Sequence, residues 1–419
     1  MIGHDVAIDQ KDKNGLMAKT RLLTSTSVFV APALLAMSVS ADAANPPEFD
    51  QCVIELKSTA KQQGISQTII DSSVANLKYV PKVIELDRRQ PEFTTTFGDY
   101  IGKRVTDWRV QQGRKLLREH KDLLDKLTKQ YGIPGQYIVS FWGLETNFGS
   151  YKGKMPVLDS LATLACDPRR SDYFTGELMQ ALRLKQQYGF SDEKMVGSWA
   201  GAMGHTQFMP TNYLKYAVDG NGDGKADLWD STEDALTSAA NFLQQLGWKA
   251  NERWGREVLL PENYDFSALG VKNTMPLTQW AQKQLTQVSG KPLATPDMDA
   301  ALYVPAGHKG PAFLGYDNFK VIMRWNRSEF YAIAVGHLAD RINGAAPMTV
   351  KPPKHQRLSR AKVKQLQQAL NNKGFDVGKP DGVLGRNSIA GLQAFQRSQG
   401  LVADGFPDKD SFEALGVSY

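Results

Sequence analysis

From residue 47 to residue 130, apolar side chains recur at steps of three and four, the spacing that lays them along one face of a helix. Phe49, Cys52, Val53, Leu56 and Ala60 make one such stripe, and Val105, Trp108, Val110, Leu116 and Leu117 another. The pattern continues through residues 134–250 as helices parted by Gly and Pro. Pro134 suits the first position of a helix, and the run 136–145 places Ile138, Phe141, Trp142 and Glu145 on one side of it. Over 251–320 the rhythm breaks. Pro261, Gly270, Pro276, Pro292, Pro296, Pro305, Gly307, Gly310 and Pro311 cut the chain short, leaving 257–260 and 301–304 as strand-like runs. A last helix of this part fits 328–342, with Tyr331, Ala334, Val335 and Leu338 together. The class expected is mainly α, with a minor β part (α+β).

After residue 345 the pattern stops. Met348, Thr349 and Val350 lie between Pro347 and the Lys351-Pro352-Pro353-Lys354 run, so 346–357 reads as an extended linker. Helical spacing resumes at Val363, Leu366, Ala369 and Leu370, which marks 358–419 as a separate small domain of helices.

The first residues have another logic. Lys19 and Arg21 precede an apolar stretch that closes on Ala41-Asp42-Ala43. Positive start, apolar middle and small-residue end describe a secretory signal over 1–43, cleaved after Ala43, with 44–345 as the main domain and a periplasmic destination. Thr24, Ser25, Thr26, Ser27 and Pro32 interrupt the stretch too often for a membrane anchor, and no later segment is apolar enough to span a bilayer. A net charge of +6 suits a polyanionic partner; nucleic acid, anionic lipid and bacterial cell wall all satisfy it. The two cysteines, Cys52 and Cys166, are either a disulfide of an oxidising compartment or two separate buried thiols.

Two segments carry chemistry. Glu145 shares a helix face with large apolar groups and stands at the helix's negative end; burial and dipole both raise a carboxyl pKa, as a general acid requires. Asp219-Gly220-Asn221-Gly222-Asp223-Gly224-Lys225-Ala226-Asp227-Leu228-Trp229-Asp230 fits the EF-hand loop template. Side-chain oxygens of Asp219, Asn221, Asp223, Asp227 and Asp230 and the carbonyl of Lys225 are the expected Ca²⁺ ligands. Position 12 holds Asp230 instead of the usual glutamate, and Asp234 is an alternative.

The segment Phe141-Trp142-Gly143-Leu144-Glu145-Thr146-Asn147-Phe148-Gly149 resembles the Glu-Ser/Thr-x-Phe-Gly signature of lytic transglycosylases, and so does 197–210, Gly-Ser-Trp-Ala-Gly-Ala-Met-Gly-His-Thr-Gln-Phe-Met-Pro. With the stretch 85–93 they resemble the membrane-bound lytic transglycosylase B family over roughly 47–342. The resemblance implies a lysozyme-like helical core with accessory lobes. It also implies cleavage of the β-1,4 bond between N-acetylmuramic acid and N-acetylglucosamine of peptidoglycan, leaving 1,6-anhydromuramyl ends. Glu145 then matches the catalytic glutamate. Met203, Gln207, Asn326 and Tyr331 match substrate contacts, and the calcium loop has a structural role. Trp325 and Phe242 depart from tyrosines usual in the family. Residues 358–416, with Asp381-Gly382 and Asp404-Gly405 turns, resemble a three-helix peptidoglycan-binding domain. Glycan strands, and other cell-wall enzymes, are the partners implied; nucleic acid is not. A hydrolytic muramidase and a non-catalytic wall scaffold are the alternatives.

Overall fold

The structure, a computed structural model, describes residues 45–89 and 95–419; the expected signal and residues 90–93 of the upstream motif lie outside them. The core is organised around one helix, Gly135–Thr146, which is buried on almost every side. Its sequence explains this: apart from Gln136, Ser140, Glu145 and Thr146 it is built of glycine, apolar and aromatic residues, and a helix apolar all round belongs in a core. Helices Asp107–Glu119, Lys121–Tyr131, Thr232–Gln245 and Glu329–Ile342 pack around it. Ser140, fully buried, satisfies its hydroxyl on the Val335 carbonyl at 2.7 Å. Pro134 is the N-cap, not the first helical residue, because its backbone is still extended (ψ 136°). Similarly, Ser328 caps Glu329–Ile342 through the Tyr331 amide instead of beginning it.

The Gly/Pro-rich part is a lobe with its own core. Its five-stranded antiparallel sheet runs, edge to edge, Met275–Pro276, Asp299–Tyr303, Ala312–Gly315, Gly255–Leu259 and Thr286–Gln287. Two of these strands overlap the expected runs 257–260 and 301–304. Ala312–Gly315, with no alternation to betray it, is buried on both faces and joins them. Val258, Leu277, Trp280, Leu302, Leu314 and Tyr316 fill this second core.

A third core, Leu366, Leu370, Leu392, Phe395, Phe412 and Leu415, joins the helices Arg360–Asn372, Arg386–Ser398 and Lys409–Leu415. Two buried glutamines hold its Asp-Gly turns in the same way. Gln367 accepts from the Gly382 amide and donates to Asp381; Gln396 accepts from the Gly405 amide and donates to Asp404. This domain is docked, not loosely tethered. Asp404, nearly inaccessible, receives both the backbone N–H and Nδ1 of His308 at 2.8 Å, and Gln393 donates to the Phe266 carbonyl. Segment 346–357 has no regular structure but is pinned: Glu257 accepts the Thr349 and Val350 amides, and His355 packs on Phe406 at 4.4 Å.

Cys52 and Cys166 form a disulfide across 114 residues of sequence, tying helix Pro47–Gln62 to the end of Val157–Ala165. Closing a loop of that length restricts the unfolded chain, so replacing both cysteines by serine should lower stability by about 3–5 kcal/mol. Chemical denaturation of the variant and of the oxidised wild type checks this; equal midpoints would count against it.

Candidate active site

Glu145 lies in the last turn of Gly135–Thr146, half-buried at the residue level but with its carboxyl deep among rings. Phe141, one turn back, packs on Trp325 (centroids 4.6 Å apart) and on Tyr331 (6.2 Å). Both partners also reach the carboxyl: the Trp325 indole N–H donates to Oε1 at 2.9 Å, and the Tyr331 hydroxyl donates to the same oxygen. Burial pushes Glu145 from an ordinary 4.5 up to about 7, with the two hydrogen bonds and the charge of Arg104 pulling the other way. Tyr331 is itself driven well above the normal tyrosine range by burial and by the neighbouring Glu145 charge. The departure at 325 therefore costs no contact here, since an indole N–H donates to the carboxyl. Phe242 offers no polar atom; it stacks on Tyr216 at 4.5 Å and packs on Trp325.

The helix ends in a left-handed run, Asn147 (φ 52°), Phe148 (61°) and Gly149 (78°). A Cβ at Gly149 would sit 2.3 Å from the His205 ring, so the sharp turn and the close approach both require glycine there. Thr146 makes the seam: its hydroxyl donates to the His205 carbonyl at 2.7 Å and accepts the Gly149 amide at 2.9 Å. Trp142 donates to His205 Nδ1 at 3.0 Å, and burial holds this histidine down to about 4, hence neutral.

That seam delivers Gln207 to the same region. Its backbone is strained (φ 51°), and its amide donates to the Gly204 carbonyl at 2.9 Å and the Lys152 carbonyl at 3.1 Å, which leaves its own oxygen as an acceptor. Met203 is fully buried and pairs with Phe208 through two backbone bonds, a strut beneath the turn. Asn326, also buried, ends helix Asp317–Trp325 just before the Ser328 cap. Sequence reasoning missed Arg109, which links the Lys103 and Arg104 carbonyls to the Asn147 side chain and so clamps the end of the Glu145 helix. Only its place in an amphipathic stretch hinted at burial.

In the 219–230 loop, Asp219 folds onto the amides of Gly222, Asp223 and Gly224, and Asn221 reaches Asp223. Asp227 and Asp230, however, both ion-pair with Lys194. The carboxylate that turns into the loop is Asp234, fully buried, taking the amides of Gly220, Asn221 and Asp227. The donor set is thus hard oxygen, as Ca²⁺ requires, and of the two carboxylates left open for its close it is Asp234 that turns toward the loop amides. The carboxylates are engaged by loop amides, and among the described residues no three His, Cys, Asp or Glu side chains converge on one centre.

Residues 48–340 match the transglycosylase SLT domain family, and 359–415 match a peptidoglycan-binding domain family. The chain belongs to the lytic transglycosylases. It is 32% identical to membrane-bound lytic murein transglycosylase B of Escherichia coli over 318 residues, 73% of this chain and 85% of that one. The crystal structure of SltB3 from Pseudomonas aeruginosa in complex with NAG-NAM-pentapeptide superimposes with a TM-score of 0.85 at 39% identity, covering 88% of this chain and all of the other. Slt35 of Escherichia coli in complex with calcium gives 0.60 at 30% identity, covering 72% of this chain and 94% of that one. The lytic transglycosylase is thus a peptidoglycan-cleaving lyase with a lysozyme-like core and a helical wall-binding domain, and among its described residues no helix is long and apolar enough to cross a membrane.

The raised Glu145 pKa has a consequence for folding. Between its ordinary 4.5 and its folded value of about 7, the native state keeps a proton that the unfolded chain releases. Wild-type stability should therefore fall as pH rises through this window, relative to Glu145→Gln, and the gap should level off above pH 7. Thermal unfolding at pH 4, 6 and 8 measures it; a gap independent of pH would show that the carboxyl is not held protonated.

Proposed function

We propose that Glu145 is the single acid–base catalyst of a reaction cleaving the β-1,4 bond from N-acetylmuramic acid to N-acetylglucosamine and leaving a 1,6-anhydromuramyl end. The observation that carries the reading is the asymmetry of the carboxyl. Trp325 and Tyr331 both donate to Oε1, so the proton that burial retains belongs on Oε2, the oxygen free to face a substrate. Glu145 gives that proton to the departing N-acetylglucosamine O4 as the anomeric C–O bond breaks. The C6 hydroxyl of the muramyl sugar then attacks the anomeric carbon, and Glu145 takes its proton back. Because the nucleophile is part of the substrate, no second carboxylate is required to activate water, unlike a conventional glycosidase. Gln207, through its acceptor oxygen, and Asn326 hold the sugars, with Met203 shaping the turn beneath. Residues 1–43 act as a secretory signal for the periplasm, and the C-terminal domain holds the enzyme to the wall.

Digestion of purified sacculi with mass spectrometry of the sugar ends tests this. Wild type should release fragments one water lighter than hydrolytic products, and Glu145→Gln should lower release by at least 10²-fold. Hydrated ends would make the enzyme a muramidase; a nearly active variant would remove Glu145 from the mechanism.

Ca²⁺, when bound, supplies positive charge that draws the loop carboxylates together, and Asp219, Asn221, Asp223, the Lys225 carbonyl and Asp234 are the residues to hold it. Calcium should then raise the melting temperature by mass action. The response should vanish in Asp219→Ala/Asp223→Ala and survive in Asp230→Ala. Equal shifts in all three proteins would dismiss the site.

A further inference from the structure

The His205 side chain is buried where three segments meet. From the Glu145 helix, Trp142 donates its indole N–H to Nδ1 at 3.0 Å. From the turn that follows, Gly149 comes so close that a Cβ there would lie 2.3 Å from both Nδ1 and Cε1. From the acidic loop, the Trp229 carbonyl faces the imidazole, and the Leu228 carbonyl takes the His205 amide at 2.8 Å. Lys152 closes the circuit: its ammonium goes to the same Trp229 carbonyl, and its own carbonyl receives the Gln207 side chain.

These neighbours fix the state of the ring. An indole N–H only donates, so Nδ1 is the bare nitrogen and the single ring proton sits on Nε2. Burial and the Lys152 ammonium oppose a second proton; Asp230 and Asp227, which favour one, are both paired with Lys194. Trp142 has no other direction to turn. His120 and Phe148 pack edge-on against its ring at 5.6 and 5.9 Å, and a donor buried this deeply requires an acceptor. Shape alone does not call for histidine here. Phenylalanine would fill the same space but leave the indole N–H unanswered.

Trp142 lies one turn before Glu145 on the same helix, and His205 stands just ahead of Gln207. The Thr146 hydroxyl on the His205 carbonyl, at 2.7 Å, is one point of attachment between these two segments. A single point leaves a pivot; the Trp142 bond to the ring is a second point, and two fix an angle. We propose that the His205 ring is a positioning residue for glycan cleavage: its bond to Trp142 holds the last turn of the acid's helix in register with the Gln207 turn, and so sets where the Glu145 carboxyl stands relative to the bound sugar. The proposal rests on the reading of Glu145 as the acid and adds to it the group that aims it.

The test is the kinetics of the full chain on a soluble glycan fragment. His205→Phe should lower kcat by about tenfold and hold KM within about threefold, because misplacing a catalytic group costs the transition state more than it costs binding. His205→Asn, whose amide oxygen can take the indole N–H, should recover most of kcat. Trp142→Phe removes the same bond from the other side and should show a like loss, and Trp142→Phe/His205→Phe should lose no more than either alone. A merely structural role would lower the melting temperature of each variant and leave kcat of the folded protein intact. A kcat for His205→Phe within about twofold of wild type, equal losses in the Asn and Phe variants, or losses that multiply in the double variant each overturn the link. Should His205→Phe fail to fold, Trp142→Phe decides: an unchanged kcat overturns the proposal, and a loss confined to kcat supports it. Glu145→Gln, measured alongside, keeps the two readings apart, since an active Glu145→Gln strikes the acid while the pattern at 142 and 205 still decides the bond.

Discussion

Taking a carboxyl group out of water is costly for its ionised form, and the cost persists unless the group keeps its proton or finds donors. At Glu145 the fold uses both remedies at once: burial keeps the proton, while Tyr331 and Trp325 satisfy one oxygen. Everything near it is arranged to hold those two donors in place. Phe141 wedges against both rings from the helix that bears Glu145. The Ser328 cap fixes the start of the helix that carries Tyr331, and Trp325 is gripped by Phe208 and Phe242. The side chains are rigid because their neighbours are rings, which lose little entropy when fixed and pack edge to face at defined angles.

The docked C-terminal domain changes how its contribution is understood. A binder on a loose tether raises local substrate concentration by an amount set by linker length. Here His308 and Asp404 meet through a buried carboxylate, and 349–355 is held by Glu257 and Phe406. A wall strand on the domain would lie in a set direction relative to Glu145. Geometry, more than concentration, is what this contact supplies, because each residue of the linker that is pinned no longer samples the reach that a flexible chain would have.

What the sequence disclosed, and what it did not, divides along physical lines. The helices around Glu145 were legible because one face of each is apolar, and the Glu145 segment stood out because a carboxylate on an apolar face is unusual. The strand Ala312–Gly315 was invisible: buried on both sides, it has no alternation to read. The docking of 358–419 was equally hidden, since Pro-rich composition reports the backbone's stiffness and says nothing about what its amides bond to. In the 219–230 loop the template left Asp230 and Asp234 both open as the closing carboxylate, because a fixed spacing cannot show that Lys194, earlier in the chain, pairs with the first while the second takes the loop amides.

The same loop connects to Gln207, whose backbone is left-handed as those of Asn147 and Phe148 are. Gln207 holds a left-handed backbone that costs a non-glycine residue of order 1 kcal/mol or more, so something must keep it there. The restraint comes from beneath: the His205 amide bonds to the Leu228 carbonyl at 2.8 Å, and Tyr213 bridges the Ala226 carbonyl and the Leu228 amide. Ala226 and Leu228 belong to the stretch that Asp234 gathers through the Asp227 amide. A charge that tightens the loop therefore acts on the floor on which His205 and Gln207 stand. The acidic loop and the helix of Glu145 are joined by a chain of hydrogen bonds through Asp234, Tyr213, the His205 backbone and the Thr146 hydroxyl, so the stability of the first bears on the geometry around the second.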